Sequence, residues 1–336
     1  MRSSKIDVPV ALIFFNRPEQ FAKVFEVVRE AAPSKLFLIQ DGPRENHAGD
    51  VENIAKCREV LTGIDWECEV HEDFSDENLG CGRRVYSGVT KCFETVDRLV
   101  ILEDDCLPSL SFFPFCAELL EKYRDDDRVG LITGMNHLNT YDIASDYLFS
   151  EVGSIAGWAT WRRSWEMVQF DLSDITTDPD AIRMLKMYQK YAHTRNSVYT
   201  DVLVKKDILD HGGKLSSWSL QFGIKQVLQS KLIIAPRVNL MTNIGLTAES
   251  ANSVSDIRFV PRGLRPLYQL RLFELDFPLK HPKYVFNDIE YTHRVDALMR
   301  PSKVIRKWRS IESLFLRLIH GDKALYRKIR KKLFHR

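Results

Sequence analysis

Two periods of apolar spacing share the first third of the chain. "VPVALIFF" (Val8 to Phe15) is an unbroken apolar run, the pattern of a strand buried on both faces, and it stops at Asn16-Arg17-Pro18. From Glu19 to Ala31 the apolar positions Phe21, Val24, Phe25 and Val28 fall on one helical face. "KLFLIQDG" (Lys35 to Gly42) predicts a second buried strand closed by Asp-Gly-Pro. A helix over Asn53 to Leu61, a strand over Trp66 to Asp73, a helix in "GRRVYSGVTKCFETV" and a strand in "RLVILEDD" follow. Strands alternating with helices predict a mainly parallel sheet covered by helices, with ligands at the carboxyl ends of the strands.

After Pro108, "SFFPFCAELLEKYRDD" reads as a helix and Arg128 to Gly134 as a strand. The stretch from Asp142 to Gly213 is aromatic and polar and gives no clear period apart from a helix over Asp180 to Tyr191. Trp218 to Gln229 predicts a helix that leads into a strand and a turn at Pro236. Beyond Pro301 the pattern is helical, with Val304, Trp308, Ile311, Phe315 and Leu318 on one face.

Composition narrows the class. The 336 residues are 44% hydrophobic and 28% charged, as in an ordinary globular protein with a core of ample size. A formal charge of +2 gives no general reason for binding nucleic acid, and no basic patch with interleaved aromatics accompanies the strands. The last fourteen residues, "KALYRKIRKKLFHR", hold seven Lys or Arg and no acid, which suits contact with an anionic membrane surface. Cys57, Cys68, Cys81, Cys92, Cys106 and Cys116 have no C-x-x-C spacing and read as reduced, mostly buried thiols. The first residues lack the pattern of a signal peptide, and no apolar run approaches the ~18 residues of a membrane span. A cytoplasmic protein, peripheral at most on the inner membrane, is expected.

The chemistry-bearing residues cluster at strand ends. Asn16 and Arg17 close the first strand, Asp41 the second, and Glu103, Asp104 and Asp105 the fourth. Right-handed crossovers would bring these ends to one edge of the sheet. Three adjacent acids are most often a solvated loop, but here "LVIL" precedes them and "CLP" follows. Carboxylates held this close repel and titrate upward unless a cation shares the site. Hard oxygen ligands without His or Cys favour Mn²⁺ or Mg²⁺ shared with substrate phosphates, and argue against structural zinc.

"LVILEDDCLPSLSFF" resembles the D-x-D-type metal motif, in an E-D-D form, of GT-A glycosyltransferases, and in particular bacterial sugar transferases akin to the N-acetylglucosaminyltransferase I group. "VALIFFNRPEQ", "LFLIQDGPREN", "NLGCGRRVYSGV", "GWATWRRSW" and "LIIAPRVNLMTNIG" fall in that family's order, so the resemblance covers roughly residues 8 to 250. It implies a GT-A type (Rossmann-like) mixed, mainly parallel sheet flanked by helices. Residues 1–150 would be the nucleotide-sugar half, 151–260 the acceptor half, and 261–336 a C-terminal helical extension with the basic tail. Asp105 would ligate the metal bridging the nucleotide diphosphate, and Glu103 and Asp104 would hold sugar and ribose hydroxyls. Phe15, Asn16, Arg17 and Asp41 would receive a uracil-type base, and Arg84 (or Arg83) would lie on the nucleotide side. Gly157 and Trp158 would line the donor sugar. Ordinary alternatives stand beside these roles: Arg17 as a surface pair, Asp41 as a turn residue, Trp161 and Trp165 as core.

The implied reaction moves a sugar from a nucleoside diphosphate sugar, a UDP-sugar by resemblance, to a glycan or lipid-linked acceptor in cell-surface polysaccharide assembly, with inversion. The metal would stabilise the leaving diphosphate, and a carboxylate would act as general base. The family's base follows a tryptophan; here Ser219 follows Trp218, and a serine hydroxyl needs its own activator. Glu151, Asp201, Asp207 and Glu249 are the acids that could replace it. Two other readings remain open. One is a weak or inactive sugar-nucleotide-binding protein, favoured by Ser219. The other is a nucleotidyltransferase, which would need a Gly-rich phosphate loop that "FFNRPEQF" lacks.

Overall fold

The computed structural model describes residues 7–191, 198–245, 256–299, 303–322 and 325–326. The first half runs β1 (Val10–Phe14), α1 (Pro18–Ala31), β2 (Lys35–Gln40), α2 (Ala48–Val60), β3 (Glu69–Phe74), α3 (Cys81–Cys92), β4 (Arg98–Glu103), β5 (Cys106–Pro108), α4 (Phe112–Lys122) and β6 (Val129–Thr133). The second half adds β7 (Tyr147–Ser150), β8 (Trp158–Trp161), α5 (Arg162–Trp165), α6 (Ser173–Thr176), α7 (Pro179–Tyr191), α8 (Val198–Asp210), α9 (Ser219–Leu228), β9 (Leu232–Pro236), β10 (Met241–Asn243), α10 (Ile289–Met299) and α11 (Lys303–Ile319).

Eight of the described strands form one mixed sheet in the order β3-β2-β1-β4-β8-β6-β9-β7. β3, β2, β1 and β4 are parallel, as the alternating pattern predicts. β8 runs antiparallel between β4 and β6, and β7 closes the far edge antiparallel to β9. This is a Rossmann-like α/β fold flanked by helices, the class expected from the sequence.

The unbroken apolar runs follow from burial on both faces. In β1, Val10, Leu12 and Phe14 pack into the core beneath α1 and α4, while Ala11 and Ile13 face the second core with Val85 and Val89 of α3. All six cysteines are free, and Cys57, Cys92, Cys106 and Cys116 are buried, as expected. Among the described residues no helix is long and apolar enough to cross a membrane.

The C-terminal part departs from a helical extension. Residues 270–288 are not helical and are tied across the domain. The Glu274 carboxylate accepts from the Leu110 and Ser111 N–H groups at the start of α4 (3.2 and 2.8 Å). Asp146 accepts from the Lys280 N–H (2.6 Å) and from Arg237 (3.0 Å). α10 then buries Tyr291 and Val295 against Leu148 and Ala235.

Candidate active site

β4 stops at Glu103 because the chain turns over Asp104-Asp105 and leaves the main sheet as β5. β5 pairs with β10, and the Ile244 N–H donates to the Asp105 carbonyl (2.8 Å). Gly245 then lies directly against the acid: a Cβ there would come within 2.2 Å of Asp105 Oδ2. The acids are therefore a strand-end turn walled by the segment after β10. Gly245 was not among the residues singled out from the sequence, since nothing local distinguishes it.

Arg17, the last residue before α1, reaches across to this turn. Its Nη1 donates to Asp105 Oδ2 (3.0 Å) and lies 3.5 Å from Asp104 Oδ1. The Phe15 N–H donates to Asp104 Oδ2 (3.2 Å). One guanidinium does not balance three acids. Burial, then the charges of Asp105 and Asp104, push the Glu103 carboxyl up to about 8, with Arg17 opposing. Burial and Asp105 push Asp104 up to about 7, against Arg17 and the Phe15 N–H. The same negative field reaches the first turn of α3. Desolvation by the surrounding protein and then Glu103, Asp104, Asp41 and Asp105 push the thiol of Cys81, an exposed residue, up to about 12.

These shifts have a sign. Folded Glu103 and Asp104 hold protons more tightly than the unfolded chain, so the stability they contribute at low pH is lost as pH rises from about 4 to about 8. In EDTA, Glu103→Gln should therefore gain stability relative to wild type between pH 5 and pH 8, read from urea midpoints. A wild-type-minus-variant difference that does not move with pH would refute this electrostatic account.

Two neighbours were missed in the sequence. Asp50, in the first turn of α2, accepts from Asn16 Nδ2 (2.7 Å) and is clasped by Arg44 through Nε (2.8 Å) and Nη2 (2.7 Å). Those Arg44 bonds lead in holding its carboxyl down to about 2. The Arg44 guanidinium lies over the Phe15 ring at 5.4 Å. Phe15 is thus held by Arg44 of the loop after β2, and Asn16 by Asp50 of α2. "GPREN" followed by an early acid in a helix was the available signal.

Four residues expected at the ligand have partners within the chain itself. The Asp41 carboxylate accepts from the Gly42, Leu79 and Gly80 N–H groups and from Asn78 Nδ2, at 2.8 to 3.1 Å. It orders the loop before α3, so its lone pairs are committed away from a base. Arg84 is buried; its Nε donates to the Gln40 carbonyl (3.1 Å) and its Nη2 pairs with Asp73 (2.7 Å). Its neighbour Arg83 is the exposed member of the pair. Gly157 has φ +64° and backs onto Met241, whose terminal carbon would lie 2.1 Å from a Cβ. Trp158 is 1% exposed and stacks on Trp218 at 5.2 Å with Phe222 at 5.3 Å. Its indole belongs to the core, with the Nε1–H buried and unpartnered in the structure.

Ser219 opens α9, and its hydroxyl pairs with that of Ser217 (2.6 Å), which cannot make it a base. The segment before it lies against α3: the Gly82 N–H donates to the Leu215 carbonyl (3.2 Å), and Lys214 donates to the Asn78 carbonyl (2.6 Å). Ser219 also lines a cavity of about 460 Å³ with Glu151, Tyr188 and Gln226. Glu151 is thus brought to Ser219's cavity. Asp201 and Asp207 are exposed on α8, and Glu249 lies outside the described residues.

No protein-family model and no curated protein matches the sequence. Among solved structures, the chain is similar to UDP-glucose pyrophosphorylase complexed with UDP-glucose at 11% identity, covering 70% of this chain and 92% of that one, with a TM-score of 0.35. The apo form of UDP-glucose pyrophosphorylase gives 9%, 70%, 93% and 0.35. The inositol-1-phosphate CTP transferase from T. maritima gives 10%, 79%, 97% and 0.35. Likeness at this level carries no argument about what the present chain binds. Membership of the N-acetylglucosaminyltransferase I group finds no support in these matches.

No group of three or more His, Cys, Asp or Glu side chains among the described residues is arranged to hold a metal ion. The acidic turn fits a hard divalent cation in donor chemistry and in its excess negative charge. The protein alone would supply only part of a ligand shell, leaving positions for substrate oxygens.

Proposed function

We propose that the chain is a glycosyltransferase that uses a UDP-sugar with Mn²⁺ or Mg²⁺. The observation that carries the reading is the strand-end turn Glu103-Asp104-Asp105, under-compensated by Arg17 and faced by the first turn of α3. A cation held there by Asp105, with Asp104 beside it, would offset the charge of a diphosphate leaving group. Arg17 keeps the two aspartates in place, and Asp41 holds the loop from which α3 starts. The amino end of α3 and exposed Arg83 supply positive potential on the diphosphate side. Glu151 follows β7 at the level of the amino end of β4, the edge of the sheet opposite the acidic turn, so it is not the acceptor-side carboxylate of this site.

Nucleotidyl transfer is the second reading. β1 leads through Phe15-Asn16-Arg17 straight into Pro18 of α1, so no glycine-rich loop precedes that helix.

The test incubates the protein with a panel of UDP-sugars and Mn²⁺, with and without glycan and lipid-linked acceptors. The expected result is metal-dependent release of UDP together with a glycosylated acceptor. Formation of UTP from UDP-sugar and pyrophosphate would instead establish nucleotidyl transfer. Metal-dependent UDP binding without product from any donor would leave a binding protein.

A further inference from the structure

The second structural feature with no role in this site is α11. Its Leu316 is buried, its Ser313 hydroxyl donates to the Phe259 carbonyl (3.2 Å) and its Arg309 donates to the Leu298 carbonyl (3.1 Å). Those contacts define the side that faces the protein. At 100° per residue, Val304, Trp308, Ile311, Phe315, Leu318 and Ile319 form a stripe turned well away from it. The stripe lies in solvent: Val304 is 78%, Trp308 66% and Phe315 60% exposed. A contiguous apolar face of this size on a helix marks an interaction surface rather than ordinary surface scatter.

Charge identifies what covers it. Lys307 is exposed at the edge of the stripe, while Arg306 and Arg317 stand on the other side of the helix, Arg317 paired with Asp322. Residues 303–336 hold twelve of the 48 Lys and Arg of the chain but only two of its 46 acids, a formal +10. The preceding 302 residues therefore carry −8 to give the total of +2. A second copy packed stripe to stripe would bring two such cationic helices together. An anionic bilayer receives both features at once, the apolar face among the acyl chains and the excess positive charge of the segment at the headgroups. Trp308 has the side chain favoured at that boundary.

We propose that α11 docks the protein, through this exposed stripe and the excess positive charge of the segment it opens, on an anionic lipid surface. The sequence already shows the basic tail and the one-sided apolar positions; the structure adds that nothing else in the described chain covers that face.

The experiment is co-sedimentation of the full chain with phosphatidylcholine vesicles, with and without phosphatidylglycerol. Binding should require the anionic lipid and weaken with salt. Trp308→Ser with Phe315→Ser should reduce it at least about tenfold, since both residues lose their apolar anchors. Arg306→Glu with Lys307→Glu should keep the stripe and lose the preference for anionic vesicles. All these positions are exposed, and thermal melting together with UDP binding unchanged from wild type confirms that the variants are folded. Equal binding to pure phosphatidylcholine, or no binding, would overturn the proposal. So would a concentration-dependent dimer, abolished by the Trp308 and Phe315 pair, in a protein that ignores vesicles.

Discussion

Asp105→Ala should weaken UDP binding in Mn²⁺ by at least about 100-fold, to the level that wild type shows in EDTA. The reasoning starts from the turn. Asp104 is partly committed, because one oxygen accepts the Phe15 N–H, and its loss would disturb the end of β1. Asp105 instead projects an oxygen between Arg17 and Gly245, at the tip of the strand-end turn. Its backbone is held independently by Ile244, so removing the side chain should leave the turn in place. Asp105→Asn sharpens the test: it retains shape and one acceptor for Arg17 but removes the charge a cation needs. Calorimetric titration with UDP, in Mn²⁺ and in EDTA, reads the effect. Wild-type affinity in either variant, or UDP binding that ignores EDTA, would remove the metal reading of the acids.

Trp158→Ala should cost about 3–5 kcal/mol of stability, the usual range for emptying a buried aromatic position. The ring is enclosed by Trp165, Trp218 and Phe222, and neighbours held in strands and helices cannot collapse far into the space it leaves. The buried, unpaired Nε1–H offsets part of the loss, since removing it relieves an unmet hydrogen bond. A platform for a sugar would behave in the opposite way, with affinity falling and stability nearly unchanged. Chemical denaturation measures the first quantity and titration of the folded variant with UDP-sugar the second. A variant as stable as wild type but unable to bind the donor would return Trp158 to the site.

The difference between these two residues shows where sequence reading works in this chain. Asp105 was legible because charge at the end of an apolar strand is locally costly, so the cost itself flags the position. The β1–β4 series was legible for a related reason: strands buried on both faces must be apolar throughout, whatever packs on them. Trp158 and Arg84 misled because residue type does not say which way a side chain points. In β8, Trp158 and Trp161 enter opposite cores, and a four-residue strand followed by two arginines hides that alternation. The resemblance puts Arg84 on the nucleotide side; the carbonyl of Gln40 in β2 and the carboxylate of Asp73 in β3 engage its guanidinium.

By itself, then, the sequence determined the four parallel strands, their helices, the placement of the acids at a strand end and the amphipathic character of α11. Each follows from a local period or a local charge cost, which the chain expresses without reference to its neighbours. Tertiary structure alone decided that β8 inserts antiparallel between β4 and β6, that Gly245 lies on Asp105, that Asp50 and Arg44 fix the start of α1, and that residues 270–288 bind back across the domain. These are pairings between segments far apart in the chain. Their free energy comes from a partner that no local pattern encodes.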